Sequence, residues 1–79
     1  MKLELFKFAA CPYCQRVLAE IKSEGRSDIE LHDIRENPAD RERLVKEGGK
    51  EQVPCLFIDG KPLYESSDII AWLKANPRG

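Results

Sequence analysis

The stretch Cys11-Pro12-Tyr13-Cys14 decides the fold, because it joins two segments of different periodicity. Before it, alternating apolar side chains predict a strand over about residues 2–8. After it, apolar residues at helical spacing predict a helix that begins near Pro12 and ends near Gly25. The motif therefore occupies a strand-to-helix junction, and its first cysteine lies at the N-terminus of the helix.

Outward from this junction, the sequence predicts five further elements. They are a strand containing Ile29, Leu31 and Ile34, a helix that opens at Asn37-Pro38 and closes at Gly48-Gly49, a strand over 53–58, a return strand over 61–64 after an Asp59-Gly60 turn, and a last helix capped by Ser66 or Ser67. A strand–helix–strand unit forms a parallel pair, and a hairpin adds antiparallel strands. We therefore expect an α/β fold, with a four-stranded mixed sheet flanked by three helices in a single domain over residues 1–79. Pro54 fits at the head of its strand, with a cis bond after Val53.

The composition is that of one ordinary globular domain. Its 79 residues are 42% hydrophobic and 34% charged, which argues against a disordered or membrane-spanning chain. The net charge of -1 gives no general attraction to nucleic acid or to an anionic membrane. Charged residues interrupt the first ten positions, so we expect no signal peptide and a cytoplasmic protein. In a reducing cytosol, a CxxC pair indicates catalysis or metal binding more than a permanent cross-link.

The spacing of Cys11 and Cys14 suits thiol–disulfide exchange. Residues three apart share one face of a helix, so the two sulfur atoms come within bonding reach. Unpaired N–H groups and the helix dipole favour a thiolate at the helix N-terminus, where CxxC thiols ionise well below the free value of about 8.5. We therefore predict that Cys11, the more exposed thiol, is the nucleophile. Cys14, one turn deeper, would resolve the mixed disulfide.

Two other uses of the CxxC pair stay open at this point. His32 and Cys55 could complete a zinc site, but they are far apart in predicted strands, whereas zinc sites normally present a second closely spaced pair. A structural disulfide would be unusual at an exposed junction of a cytosolic protein. We favour redox chemistry, expect no metal, and interpret Cys55 as a buried core thiol.

Together with the CxxC motif, Val53-Pro54 and Ile58-Asp59-Gly60-Lys61 resemble the glutaredoxin family over nearly the whole chain. The resemblance implies a thioredoxin-like fold, a cis proline facing the active cysteines, and glutathione as co-substrate without a permanently bound cofactor. Its activity would be the reduction of protein disulfides and protein–glutathione mixed disulfides, and we expect a monomer. The chain departs from the family at Phe8, where glutaredoxins usually have lysine, and before the last helix, where they usually have Gly-Gly.

The segment Glu65-Ser66 resembles instead the N-terminal domain of glutathione S-transferases, where an acidic-serine pair holds the γ-glutamyl end of glutathione. The two resemblances together imply glutathione contacts at three places. These are Tyr13 in the motif, Val53 and Pro54 at the predicted cis bond, and Glu65, Ser66 and Ser67 at the start of the last helix. Further candidate contacts are Arg16, Lys50, Gln52 and Asp68, of which the first three would meet the other carboxylate of glutathione.

Three functions compete on these grounds. The first is the glutathione-coupled oxidoreductase just described, which Cys11-Pro12-Tyr13-Cys14 favours. The second is a redoxin reduced by thioredoxin reductase, for instance as an electron donor to ribonucleotide reductase, and the altered segment before the last helix keeps it open. The third is a non-enzymatic module that binds glutathione or, shared between two chains, an iron–sulfur cluster.

Overall fold

The computed structural model describes residues 1–77, which form four strands and three helices. In chain order they are β1 (Leu3–Lys7), α1 (Pro12–Ser23), β2 (Ile29–Asp33), α2 (Pro38–Gly48), β3 (Cys55–Ile58), β4 (Lys61–Tyr64) and α3 (Ser66–Ala75). The order and type of these elements are those that the sequence predicts. No helix in this part of the chain is both long enough and apolar enough to cross a membrane.

The strands form one mixed sheet in the order β2-β1-β3-β4. β1 is parallel to β2, with Leu5 opposite Leu31, and antiparallel to β3, with Leu5 opposite Leu56. β3 and β4 form an antiparallel hairpin through Asp59 and Gly60, whose φ angles of 50° and 84° are those of a tight hairpin turn. The predicted four-stranded mixed sheet is confirmed.

Helices pack on both faces of the sheet, because β1 and β3 point alternate side chains to opposite sides. One face buries an apolar cluster under α1 and α3. It consists of Leu3, Leu5, Val17, Ile21, Leu56, Ile69 and Leu73. The other face lies against α2 and buries Phe6, Ile34, Leu44, Cys55 and Phe57. This central burial fixes β1, and with it the position of the CxxC motif that follows.

Two boundaries differ from the predicted ones. β3 begins at Cys55 and not at Val53, because the Val53–Pro54 bond is cis and Pro54 has no N–H to donate to a neighbouring strand. The predicted capping of α3 by Ser66 or Ser67 is wrong, since both residues are already helical. The N-cap is Glu65, whose φ is 70°, and no side chain accepts a hydrogen bond from the first turn.

Candidate active site

The first turn of α1 brings the two cysteines of the motif together. Cys11 is the N-cap residue, and its Sγ accepts a hydrogen bond from the Cys14 N–H at 3.2 Å. Pro12 occupies the first helical position, where the missing N–H costs no intrahelical bond. The Cys11 N–H donates to the Phe8 carbonyl at 3.2 Å, which ties the motif to the end of β1. The sulfur predicted to react is therefore the hydrogen-bond acceptor at a helix N-terminus.

Burial distinguishes the two thiols. Cys14 is fully buried, whereas Cys11 keeps 6% of its surface exposed. Burial, followed by the hydrogen bond with Cys11, raises the pKa of Cys14 to about 12. Cys14 therefore stays protonated at neutral pH. Cys11 is the more exposed thiol, as predicted, although its opening to solvent is narrow.

A cleft of about 440 Å³ lies beside the motif. Its walls come from the first turns of α1, the loop before β3 and the start of α3. The residues that line it are Tyr13, Arg16, Gln52, Val53, Pro54, Glu65, Ser66 and Ser67. Segments far apart in the chain thus meet on one surface next to Cys11.

This lining includes every residue that the two resemblances assign to the main glutathione contacts, and two of the four further candidates, Arg16 and Gln52. The other two, Lys50 and Asp68, are not part of it. The Lys50 Nζ lies 4.4 Å from the centroid of the Tyr64 ring, and Asp68 is exposed on α3. The structure therefore does not bring Lys50 or Asp68 to the cleft.

The start of α3 faces the cleft without a side-chain cap. The helix's first backbone hydrogen bond runs from the Ile69 N–H to the Glu65 carbonyl at 3.0 Å. Ser66 is buried and Ser67 exposed. Gln52 Nε2 donates to the Glu65 carboxylate at 3.2 Å and so links the loop before β3 to the helix. Uncapped N–H groups and the helix dipole together favour an anion here.

The third cysteine, Cys55, is fully buried in β3, which confirms its predicted place in the core. Burial raises the pKa of Cys55 to about 11 and that of Tyr64, its neighbour on β4, to about 12. The Tyr64 hydroxyl donates to the Gly48 carbonyl at 3.0 Å. Both groups stay protonated at neutral pH, and neither lines the cleft.

The zinc alternative required His32 and Cys55 to gather around the CxxC motif. Within residues 1–77, the side chains of metal-ligand type that converge in a group of three are Glu4, Glu30 and His32. That group contains no cysteine. The ligand atoms of His32 therefore converge with carboxylates and not with the cysteines, and among the described residues the CxxC motif is not part of a three-ligand cluster.

Arg35, which the sequence patterns do not single out, also lies close to the motif. Its guanidinium carbon is 3.8 Å from the centroid of the Phe8 ring. Arg35 and Phe8 line a second, smaller cleft of about 210 Å³, which shares Val53 with the first. No local pattern indicates this placement, because Arg35 reaches Phe8 only through the parallel pairing of β1 with β2.

Comparison with known proteins supports both the family and the fold. The sequence model of the family described as Glutaredoxin matches residues 3–63. Glutaredoxin 3 of Escherichia coli K12 is 38% identical over 69 residues, which cover 87% of this chain and 82% of that protein.

Two solved structures show the likeness of fold. Glutathione transferase Omega 3C from Trametes versicolor superposes with a TM-score of 0.80 at 22% identity, covering 100% of this chain and 36% of that one. The holo form of glutaredoxin C1 from Populus tremula x tremuloides superposes with a TM-score of 0.72 at 23% identity, covering 96% and 77%. The thioredoxin-like fold expected from the sequence is thereby confirmed.

Proposed function

Because this chain belongs to the glutaredoxin family of thiol–disulfide oxidoreductases, we propose that Cys11 is its nucleophile and glutathione its co-substrate. The observation that carries the proposal is the hydrogen bond from the Cys14 N–H to Cys11 Sγ at the N-terminus of α1. The bond and the helix dipole place donors and positive potential at the sulfur that attacks. The thiolate is the form that attacks disulfides.

On a protein–glutathione mixed disulfide, the Cys11 thiolate attacks the glutathione sulfur. The bond between glutathione and the protein breaks, the protein thiolate leaves and takes a proton from solvent, and Cys11 becomes bonded to glutathione. A second glutathione thiolate then attacks that bound glutathione sulfur. Oxidised glutathione leaves, and the Cys11 thiolate is restored with the electrons balanced.

On a protein disulfide, Cys11 forms a mixed disulfide with one substrate sulfur, and Cys14 resolves it. Cys14 loses its proton as it attacks Cys11 Sγ, the substrate leaves as a dithiol, and the Cys11–Cys14 disulfide forms. Two glutathione molecules reduce that disulfide and leave as oxidised glutathione. The raised pKa of Cys14 keeps it a thiol in the reduced enzyme until it attacks.

The cleft beside the motif supplies a binding surface for the glutathione part of the substrate. We assign the γ-glutamyl carboxylate to the uncapped start of α3, at Ser66 and Ser67, with Glu65 near the γ-glutamyl amine. The backbone of Val53, held by the cis bond to Pro54, would pair with the cysteinyl residue. Tyr13, 60% exposed, forms the wall on the side of α1, with Arg16 and Gln52 as further lining.

The proposal also concerns the setting of the reaction. We propose a monomer that acts in a reducing cytosol, where glutathione is the abundant thiol and CxxC pairs turn over. The two sulfur atoms of the enzyme and those of glutathione carry all the electrons, so the chemistry requires no permanently bound cofactor.

Paired cysteine variants test this function. In an assay coupled to glutathione, NADPH and glutathione reductase, we expect Cys11→Ser to lose turnover of both substrate classes by more than about 1,000-fold. Cys14→Ser should still release glutathione from mixed disulfides, because a second glutathione replaces it there, but should lose protein disulfide reduction by about 100-fold or more. Cys55→Ala is the matched control, and its turnover should stay within about twofold of the unchanged enzyme.

Two outcomes of the same assay would contradict the proposed roles of Cys11 and glutathione. Full activity of Cys11→Ser would show that another group attacks the disulfide. Turnover with thioredoxin reductase and NADPH, and none with glutathione, would replace glutathione as reductant and support the redoxin alternative.

A further inference from the structure

In the proposed reaction on protein disulfides, the resolving thiol Cys14 becomes negatively charged in a buried place. Cys14 is fully buried, and burial, followed by the hydrogen bond with Cys11, raises its pKa to about 12. Cys14 must nevertheless give up its proton as it attacks Cys11 Sγ. A charge that forms on a buried atom is costly unless an opposite charge or a hydrogen-bond donor lies beside it.

Lys7, the last residue of β1, carries a positive charge on the face of the sheet that α1 covers. Side chains alternate along a strand, so Lys7 lies on the same face as Leu5, which packs in one cluster with Val17 of α1. α1 follows β1 after a short turn and returns along it. Cys14, the first buried residue of α1, therefore lies over the end of β1, where Lys7 is.

The electrostatics of Cys14 agree with this placement. A backbone hydrogen bond at Phe8 and the charge of Lys7 both lower the pKa of Cys14, against the larger effect of burial. Cys11 and Lys7 are the ionisable groups with the largest effect on this thiol, one on its own helix and one on β1. The other elements packed on this face, β3 and α3, contribute apolar side chains to it, namely Leu56, Ile69 and Leu73.

Asp33 of β2 holds the Lys7 side chain in position. The two residues are opposite each other in the parallel strand pair, and Lys7 Nζ lies 3.6 Å from Asp33 Oδ2. The other carboxylate oxygen accepts hydrogen bonds from the backbone N–H groups of Arg35 at 2.9 Å and Glu36 at 3.0 Å. The turn after β2 thus fixes the carboxylate. At 3.6 Å the ion pair is longer than a charged hydrogen bond, so Asp33 neutralises the ammonium only in part.

We infer that Lys7, held by Asp33, stabilises the negative charge that forms on Cys14 in the resolving step. Lys7 acts through Cys14 and is a positioning residue. The inference rests on the proposed function, since Cys14 resolves only a mixed disulfide that Cys11 has formed.

The resolving step balances without a change in Lys7. Cys14 releases its proton to water, and the bond between the sulfur atoms of Cys14 and Cys11 forms. The bond between Cys11 and the substrate sulfur breaks, and that sulfur leaves with the electron pair and takes up a proton. Release of glutathione from mixed disulfides does not use Cys14, so we expect it not to depend on Lys7.

Dipyridyl disulfide, which is uncharged, separates the two thiol steps in a stopped-flow experiment. Mixed with an equal amount of reduced enzyme, it should release one thiopyridone as Cys11 attacks and a second as Cys14 resolves. The first rate rises with concentration and the second does not, because the second step occurs within one molecule. Cys14→Ser should lose only the second release. Since neither the disulfide nor the leaving group carries a charge, Lys7 cannot act by attracting them.

In Lys7→Met, the second release should slow about tenfold, because a nearby opposite charge is lost, and the first should stay within about twofold. Lys7→Arg keeps the charge and should restore most of the second rate. Asp33→Asn keeps an oxygen for the turn but removes the counter-charge of Lys7, so the second release should become about two- to threefold faster. Lys2→Met is the matched control. It removes a lysine that pairs with Glu4 near the other end of β1 and should change neither release.

The results that would overturn the inference are distinguishable. An unchanged second release in Lys7→Met would show that other groups stabilise the charge on Cys14, while the proposed roles of the two cysteines stand. A second release that is slow in Lys7→Met and in Lys7→Arg, or slower in Asp33→Asn, would show that the pair maintains the packing around Cys14 and not its charge. A first release that persists in Cys11→Ser would refute the proposed function itself, and the inference about Lys7 with it.

Discussion

Two helix N-termini meet at the site, those of α1 and α3, and they are built in opposite ways. At α1, the N-cap Cys11 accepts the Cys14 N–H through its own sulfur, and Pro12 removes one of the free donors. At α3, no side chain accepts from the first turn, and the preceding Glu65 has a φ of 70°. Both helices direct the positive end of their dipole toward the larger cleft.

The difference shows how one physical effect can serve two purposes. In α1, the field of the helix acts on an atom of the protein, the sulfur that we propose as the nucleophile. In α3, the same field acts on the space in front of the helix, where we assign a carboxylate of the ligand. The N-terminus of α1 is capped by the sulfur that we propose as the nucleophile, whereas a helix left uncapped can bind an anion. Four predictions test this contrast.

The largest effect is expected at the cap of α1, where chemistry and stability can be separated. Both Cys11→Ser and Cys11→Ala should lose more than about 1,000-fold in turnover. Serine is a good N-cap and alanine is not, so Cys11→Ser should be more stable than Cys11→Ala by about 1 kcal/mol in urea unfolding. Equal stability of the two variants would contradict the role of this residue as a cap.

The other end of α3 is firmly capped, and removing that cap should affect stability alone. Arg26, with a side chain 2% exposed, donates to the Leu73 carbonyl at 3.1 Å and also pairs with Glu24 and Asp28. Arg26→Gln should lower the free energy of unfolding by about 2–3 kcal/mol, because a nearly buried guanidinium that pairs with two carboxylates is removed. Turnover at 25 °C should stay within about twofold.

The control for Arg26 is Arg41→Gln, which removes a solvent-exposed arginine–glutamate pair. It should cost less than about 0.5 kcal/mol. Equal costs in urea unfolding for the two variants would show that the C-terminal end of α3 gains nothing from Arg26.

A third prediction concerns the buried thiols behind the reactive sulfur. Burial raises the pKa of Cys14 to about 12 and that of Cys55 to about 11, whereas both ionise near about 8.5 in the unfolded chain. Above pH 8.5 the unfolded state therefore binds fewer protons than the folded state, and stability falls as pH rises. The full contribution is present below pH 8.5. By pH 9.5, each thiol should cost about 1.4 kcal/mol in the free energy of unfolding of the reduced protein.

Urea unfolding in the presence of a reductant at pH 7.0, 8.5 and 9.5 measures this decline. Cys55→Ala should reduce the loss between pH 7.0 and 9.5 to about half, since one of the two thiols is absent. A loss that does not change in Cys55→Ala would assign the pH dependence to other groups.

The smallest effect is expected at the open N-terminus of α3. Ser67→Asp places a carboxylate where we assign that of glutathione, so kcat/KM for a glutathione mixed disulfide should fall about fivefold. The same change should stabilise the helix by about 0.5 kcal/mol, because an acidic residue in the first turn suits the dipole. Ala71→Asp, farther along α3 and exposed, is the matched control; it should leave turnover unchanged and lower stability by about 0.5 kcal/mol, because aspartate is a poorer helix former than alanine.

The two measurements on Ser67→Asp must move in opposite directions. Greater stability with unchanged turnover would show that the ligand carboxylate does not lie at α3. Loss of turnover on a small disulfide without a carboxylate would show that the substitution acts on the reaction and not on binding.

Local sequence was sufficient to predict the features that depend on neighbouring residues. The order of the seven elements, the Asp59-Gly60 hairpin and the Asn37 cap of α2 follow from turn and cap preferences over a few positions. The same holds for Cys11-Pro12-Tyr13-Cys14, because the contact between its cysteines spans one helical turn. The features that were missed depend on contacts between distant segments.

The α3 boundary shows why local reasoning stops. Two serines before an apolar run are typical of an N-cap, but Glu65 takes a left-handed conformation after β4, and the helix begins one residue earlier than such a cap allows. The conformation of the chain as it leaves β4 therefore places Glu65, and not a serine, at the N-cap position of α3. Likewise, Lys50 is a basic residue close to Val53 in the sequence, which made it a candidate glutathione contact. In the structure it lies over the Tyr64 ring and does not line the cleft.

The residues of this chain therefore specify the position of the proposed nucleophile and its helix, because a cysteine, a proline and a second cysteine at that spacing act within one turn. The sheet order β2-β1-β3-β4 specifies the surroundings of that sulfur. It places Val53 between the larger cleft, which the start of α3 lines, and the smaller cleft, which Arg35 lines, and it buries Cys14. Such placements depend on pairing and packing between segments far apart in the chain, which no local pattern encodes.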